Sequence, residues 1–155
     1  MIQNNDPCLC GSTKLFAECC GAILNDHSKA ETAEQLMRSR YTGFALQHDE
    51  HLLRSWSITT RPNSLNHDDH PVTWIGLDVH NTTDGQAGDD IGEVEFTARY
   101  IENSMLCSLR EKSSFQKVDG LWFYLNGACE VKKEKIDRNA LCLCGSGKKF
   151  KKCCY

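Results

Sequence analysis

Residues 91–101 read Ile91-Gly92-Glu93-Val94-Glu95-Phe96-Thr97-Ala98-Arg99-Tyr100-Ile101. Val94, Phe96, Ala98 and Tyr100 fall on one side of an extended chain, and Glu93, Glu95, Thr97 and Arg99 on the other. Such alternation marks a strand with one face on a core and one in water. Upstream, residues 72–80 place Ile75, Leu77 and Val79 on one face, and Thr82 to Asp90, rich in Gly, Asp and Thr, joins the two runs. Downstream, residues 104–118 place Met105, Cys107, Leu109 and Phe115 together. Asp119-Gly120 is a hairpin signal that leads into a last apolar run, residues 121–125.

Before these strands the period lengthens. Ala33, Leu36, Met37, Tyr41, Phe44 and Ala45 recur at helical spacing, with Arg38 off that stripe and Arg40 near its edge. Thr32 and Gln35 fit a capping box, and Asp49 stands where it would cap a second helix carrying Leu52, Leu53 and Trp56. Arg61 to Pro71 reads as loop and includes His67 and His70. Helices followed by three or four strands predict an α+β fold, helices packed on one face of a curved antiparallel sheet. Residues 22–31 read as a connector, and Glu130 to Arg138 as a charged linker, either helical or a flexible tether.

One short pattern is used at both ends. Cys8-Leu9-Cys10 and Cys19-Cys20 repeat as Cys142-Leu143-Cys144 and Cys153-Cys154 at the same spacing. Eight of the ten cysteines fall in these copies, and neither copy holds a histidine. Four thiolates so close in sequence are enough for one tetrahedral zinc site each, metal: Cys8, Cys10, Cys19, Cys20 and Cys142, Cys144, Cys153, Cys154. Gly11-Ser12 and Gly145-Ser146-Gly147 would make the turn back and turn backbone N–H groups toward sulfur. Lys148 to Lys152 would be a helical turn delivering the last pair. Iron, a redox pair or a disulfide framework are the alternatives; the last needs an oxidising compartment.

These residues resemble the SEC-C motif, the small zinc-binding tail of the SecA translocation ATPase and of other bacterial proteins. Leu9 and Leu143 stand where that motif often has Pro, and Cys20 and Cys154 where it often ends in His. The middle segment, through Glu34 to Tyr41, Trp74 to Leu77, Phe96 to Tyr100, Glu111 to Phe115 and Trp122 to Gly127, is similar to the YchJ-like family. The resemblance implies a domain of the nuclear transport factor two (SnoaL-like) superfamily, a cone that often holds a pocket, between two zinc modules. Three parts follow: 1–21, an N-terminal zinc module; 22–130, the cone-like α+β domain; 131–155, the charged linker and C-terminal zinc module.

The N-terminus has neither a charged start nor an apolar stretch of signal-peptide type, and no apolar run is long enough to span a membrane. The expectation is a cytoplasmic protein whose thiolates stay available to two structural zinc ions. The formal net charge of −3 hides an asymmetry, because residues 130–155 carry eight Lys or Arg against three Asp or Glu. Lys148, Lys149, Lys151 and Lys152 lie between the ligand pairs and predict a protein, ribosome or nucleic-acid partner, unless they only keep the module soluble. The main expectation is therefore a zinc-binding adaptor docking on an acidic partner.

The alternative is an enzyme acting on a small molecule by proton transfer in the central pocket. Glu111 and Ser113 interrupt the apolar face of their strand. A carboxylate there is either paired with Arg38 or Arg40 or is a pocket acid, with an arginine or Tyr41 steadying charge, unless a bulge turns it outward. Trp56, Trp74, Trp122 and Tyr124 read as core, Cys107 as a buried small hydrophobe, and Arg99 as solvated. No phosphate-binding loop or nucleophile elbow is present.

Overall fold

The structure is a computed structural model and describes residues 1–65 and 71–155. His67 and His70 lie outside the described residues. In chain order come a 3-10 turn Phe16–Glu18, α1 (Cys20–Asn25), a turn His27–Lys29, α2 (Ala33–Ala45) and α3 (Asp49–Arg54). Then follow β1 (Thr73–Asp84), β2 (Ile91–Glu102), β3 (Met105–Val118), β4 (Leu121–Lys135) and a last turn Phe150–Lys152. The four strands form one antiparallel sheet in the order β1-β2-β3-β4. This is the predicted α+β class.

The two tight hairpins follow from their turn residues. Asp119 and Gly120 have φ of 50° and 79°, and Asn103 and Ser104 have 48° and 61°. Left-handed backbone at both central positions matches the twist of the flanking strands. Inward residues Leu77, Val94, Ala98, Phe115 and Trp122 meet Leu36, Met37 and Tyr41 of α2 in the main core. Thr32 caps α2 by accepting from the Gln35 N–H at 3.2 Å. Gln35 reaches back one residue further than a capping box requires, its Oε1 accepting from the Glu31 N–H at 2.7 Å. The α3 cap is His48, whose ring accepts from the His51 N–H, and Asp49 is the first helical residue instead.

Two stretches differ from their sequence reading. The connector 22–31 contains most of α1 and the turn His27–Lys29, held by Asp26, which accepts from the Ser28 N–H. The charged linker is strand as far as Lys135, because Glu130–Lys135 continues β4 opposite Met105–Arg110. Its lysines suit an edge strand, where charge discourages pairing with another chain.

The two cysteine modules sit on different sides of the sheet. Cys8, Cys10 and Cys20 belong to the main core with α2 and Leu77. Cys142 and Phe150 pack instead on Ile101, with Ile75 and Ile136 around them. Ile75 thus parts from Leu77 and Val79, with which its spacing predicts a shared face, because the register shifts between Trp74 and Gly76. Ile101 follows inward-facing Tyr100, so it projects from the opposite face.

Candidate metal centres and a central pocket

Each module is the same small device. Cys8 N–H donates to Lys14 O and Cys142 N–H to Lys148 O, at 2.9 and 2.7 Å. Phe16 N–H donates to Asp6 O and Phe150 N–H to Ala140 O, at 2.8 and 2.9 Å. These bonds tie the segment carrying Cys-Leu-Cys to the 3-10 turn that presents the second pair. Gly11 and Gly145, at φ of 74° and 81°, make the reversal between them.

In each module the four sulfur atoms lie within 4.8 Å of one another. Cys10 Sγ is 3.6 Å from Cys19 Sγ, which is 3.9 Å from Cys20 Sγ; the corresponding distances at Cys144, Cys153 and Cys154 are 3.5 and 3.8 Å. A zinc ion with bonds of about 2.3 Å to sulfur requires tetrahedron edges of about 3.8 Å. The clusters therefore have the donor set and the size to hold a metal ion, and all ten cysteines are free thiols. The Ser12 and Ser146 hydroxyls each lie 3.1 Å from the sulfur of Cys19 and Cys153, the kind of outer contact that orients a ligand.

The close sulfurs share protons unequally. Hydrogen bonding to Cys20 and Cys8 pushes Cys10 far below the usual thiol range, and hydrogen bonding to Cys10 and Cys8 pushes Cys20 far above it. In the C-terminal copy, Cys144 is drawn down to about 6, first by the Ser146 hydroxyl.

The settings of the two clusters differ more than their geometry. Cys8, Cys10 and Cys20 are buried, and Arg38 of α2 donates to Cys10 O at 2.8 Å. In the other copy only Cys142 is buried, and Cys153 is exposed. Lys148, Lys149, Lys151 and Lys152 are all exposed there, and the N-terminal copy has Lys14, Leu15, Ala17 and Glu18 in their places.

Between α2 and the sheet lies a cavity of about 290 Å³. Its walls include Tyr41, Phe44, Trp56, Trp74, Phe96 and Tyr124, with Arg40 and Glu111 as its charged groups. Trp122 is core, as predicted, whereas Trp56, Trp74 and Tyr124 face this space. The β2–β3 register runs without a bulge and sets Glu111 opposite Phe96, so the carboxylate stays on the inner face. Its Oε1 accepts from Ser113 Oγ at 2.7 Å and from the Tyr124 hydroxyl at 3.1 Å.

Among the described residues neither expected arginine forms an ion pair with Glu111. Arg38 pairs with Glu34 at 2.9 Å. Arg40 donates from Nη1 to Leu52 O and Ser55 Oγ, both at 2.7 Å, and its guanidinium stacks 4.9 Å from the Trp56 ring centre and 4.6 Å from that of Tyr124. Burial lowers its pKa to about 10, so it stays charged at neutral pH. Burial also lifts Tyr41 to about 12. Arg99 is paired with Asp78 on the outer face, and Cys107 is fully buried.

A curved-sheet α+β domain flanked by two four-cysteine modules defines a class of protein. The sequence matches the middle NTF2-like domain of YchJ over residues 32–127 and the SEC-C motif over residues 5–22 and 138–155, and the chain belongs to the YchJ-like family. A UPF0225 protein of Photorhabdus laumondii is 36% identical over 95% of this chain and 97% of its own length. The solution structure of a SEC-C motif containing protein from Rhodopseudomonas palustris matches 85% of this chain and 100% of that one, with a TM-score of 0.69 and 29% identity. The crystal structure of a SEC-C motif containing protein from Psychrobacter arcticus covers 99% of this chain and 96% of its own, with a TM-score of 0.62 and 26% identity. No described helix is long and apolar enough to cross a membrane.

Proposed function

We propose that the chain is a zinc-dependent binding protein whose C-terminal module docks on an acidic partner, a protein or a ribosomal or other nucleic-acid surface. Cys8, Cys10, Cys19 and Cys20 would hold one ion, and Cys142, Cys144, Cys153 and Cys154 the second. Four thiolates leave no open position for substrate or water, so both ions are structural in this reading. Thiolate ligands persist in a reducing compartment, which makes the cytoplasm the proposed setting.

The observation that carries the docking reading is the contrast between the two copies. Lys148, Lys149, Lys151 and Lys152 are exposed on the peripheral module, while the core-embedded copy lacks three of the four. Changing these four lysines to Glu in the metal-loaded protein is expected to abolish salt-sensitive retention of a partner from cell extract. An unchanged set of retained partners would refute the reading. Native mass spectrometry with and without chelator checks the number and identity of the ions.

The placement of Glu111 favours a second reading, proton transfer next to a carbonyl in the central cavity. Glu111 would take the proton, with Arg40 or Tyr41 steadying the oxygen. Hydrogen–deuterium exchange into α-tetralone, catalysed by the unmutated protein and absent in Glu111→Gln, is the expected result; equal exchange in both excludes it.

A further inference from the structure

We infer that the central cavity is a binding site for small, uncharged ring compounds that carry a carbonyl-type oxygen. The inference uses the cavity of the second reading above but does not depend on turnover.

Three observations select this class. Shape comes first: seven aromatic side chains, from α2, the segment after α3 and all four strands, line a space of about 290 Å³. That volume lies near the lower end of small-molecule sites and suits one or two fused rings. Aromatic walls favour a flat guest through stacked and edge contacts; Trp74 already has Tyr100 at 5.0 Å, Tyr41 at 5.5 Å and Phe44 at 6.2 Å.

Charge comes second. Arg40 and Glu111 are the charged lining groups, one of each sign. A guest with net charge would enter a cavity whose own charges already balance and would lose its hydration without a spare counter-charge. An uncharged guest avoids that cost.

Unused donors come third. Trp56 Nε1 is buried and has no hydrogen-bond partner among the described residues. The guanidinium of Arg40, only 5% exposed, makes both its hydrogen bonds through Nη1, which leaves Nε and Nη2 available. A buried donor without a partner is costly, and a ligand oxygen would relieve it. On the other side of the site, Glu111 Oε1 already accepts from Ser113 and Tyr124. The missing component is thus an acceptor on an apolar ring.

The test uses the full chain with metal bound and follows the indole N–H resonances of its three tryptophans, the Trp56 peak being assigned with Trp56→Phe. Four probes of similar size are titrated: α-tetralone, the hydrocarbon tetralin, α-naphthoate and α-naphthylmethylammonium. The ketone is expected to shift the Trp56 peak saturably and to bind roughly tenfold tighter than each of the other three, the ratio expected for one hydrogen bond or one uncompensated charge. Leu109→Phe, which fills the cavity, is expected to remove the shift; the ranking on the unmutated protein stands without that variant. Naphthoate or the ammonium probe binding as tightly as the ketone would overturn the inference. So would tetralin equalling the ketone, or a Trp56 peak unmoved by all four at millimolar concentration. Saturable ketone binding without deuterium exchange would reject the proton-transfer reading and leave this inference standing.

Discussion

The carboxylate of Glu111 fills the space that a side chain at residue 127 would need. A Cβ built on Gly127 would overlap Glu111 Oε1 and come within 2.8 Å of its Cδ. Gly127 lies opposite Ser113, one of the two residues that donate to that oxygen. The glycine is therefore what lets an acidic side chain lie flat on the inner face of the sheet.

Gly127→Ala is expected to push Glu111 off Ser113 and Tyr124 and to cost about 1–3 kcal/mol, the usual penalty for overfilling a packed site. In a Glu111→Ser background the same change should cost at least about 1 kcal/mol less, because the clash is gone. Urea denaturation of the four proteins in this cycle measures the difference; additive effects would show that the two residues do not compete for the space.

His51 makes stability depend on acid. It is fully buried beside Arg40 and Arg54, and burial first, then those charges, pull its pKa from 6.5 to about 3. Ser39 Oγ donates to Leu36 O at 2.7 Å, so its contact with His51 Nε2 at 2.9 Å makes that nitrogen the donor and leaves Nδ1 without a partner. The unfolded chain takes up a proton below about pH 6.5 that the fold refuses until about pH 3. This contribution is present at neutral pH and is lost as pH falls through that window. His51→Gln should flatten the stability–pH slope there by up to roughly 1.4 kcal/mol per pH unit. Parallel slopes for the two proteins would contradict the assignment.

Metal release is expected in two phases when a chelator is added. The C-terminal cluster, with Cys153 exposed, should empty first, and the N-terminal cluster, with Cys8, Cys10 and Cys20 in the main core, should follow slowly. Cys144→Ser should remove the fast phase and leave the central domain's Tm nearly unchanged. Cys10→Ser should remove the slow phase and destabilise the domain by about 2–5 kcal/mol, the size of a core truncation. A chromogenic zinc assay combined with calorimetry reads both effects.

Thr13 occupies a left-handed conformation, φ 67°, that a β-branched residue adopts at a cost; its counterpart in the other copy is Gly147, at φ 73°. Thr13→Gly should stabilise the N-terminal module, and Gly147→Thr should weaken the C-terminal one, each by about 1 kcal/mol. Thermal unfolding follows the first, and competition with a zinc chelator follows the second.

Local spacing made much of this protein readable in one dimension. The cysteine pairs, the period-two runs and the Asp119-Gly120 turn all act between residues a few positions apart, so their pattern survives in the linear chain. Gly127 was harder to read, because after Asn126 it imitates a hairpin turn. Its glycine signals a close approach within a strand instead. The end of β4 was hidden by its charges, since an edge strand needs no apolar alternation once Met105–Arg110 offers it a partner.

Long-range packing settled the rest. Two near-identical cysteine motifs became one buried and one peripheral cluster because α2 and Leu77 cover the first, while Ile75 and Ile101 support the second from the other face. Arg40, at the edge of a helical stripe, became a buried cation because Leu52, Ser55, Trp56 and Tyr124 converge on it from α3, the segment that follows it, and β4. Such environments arise from contacts between distant parts of the chain, and spacing within any one segment carries no record of them.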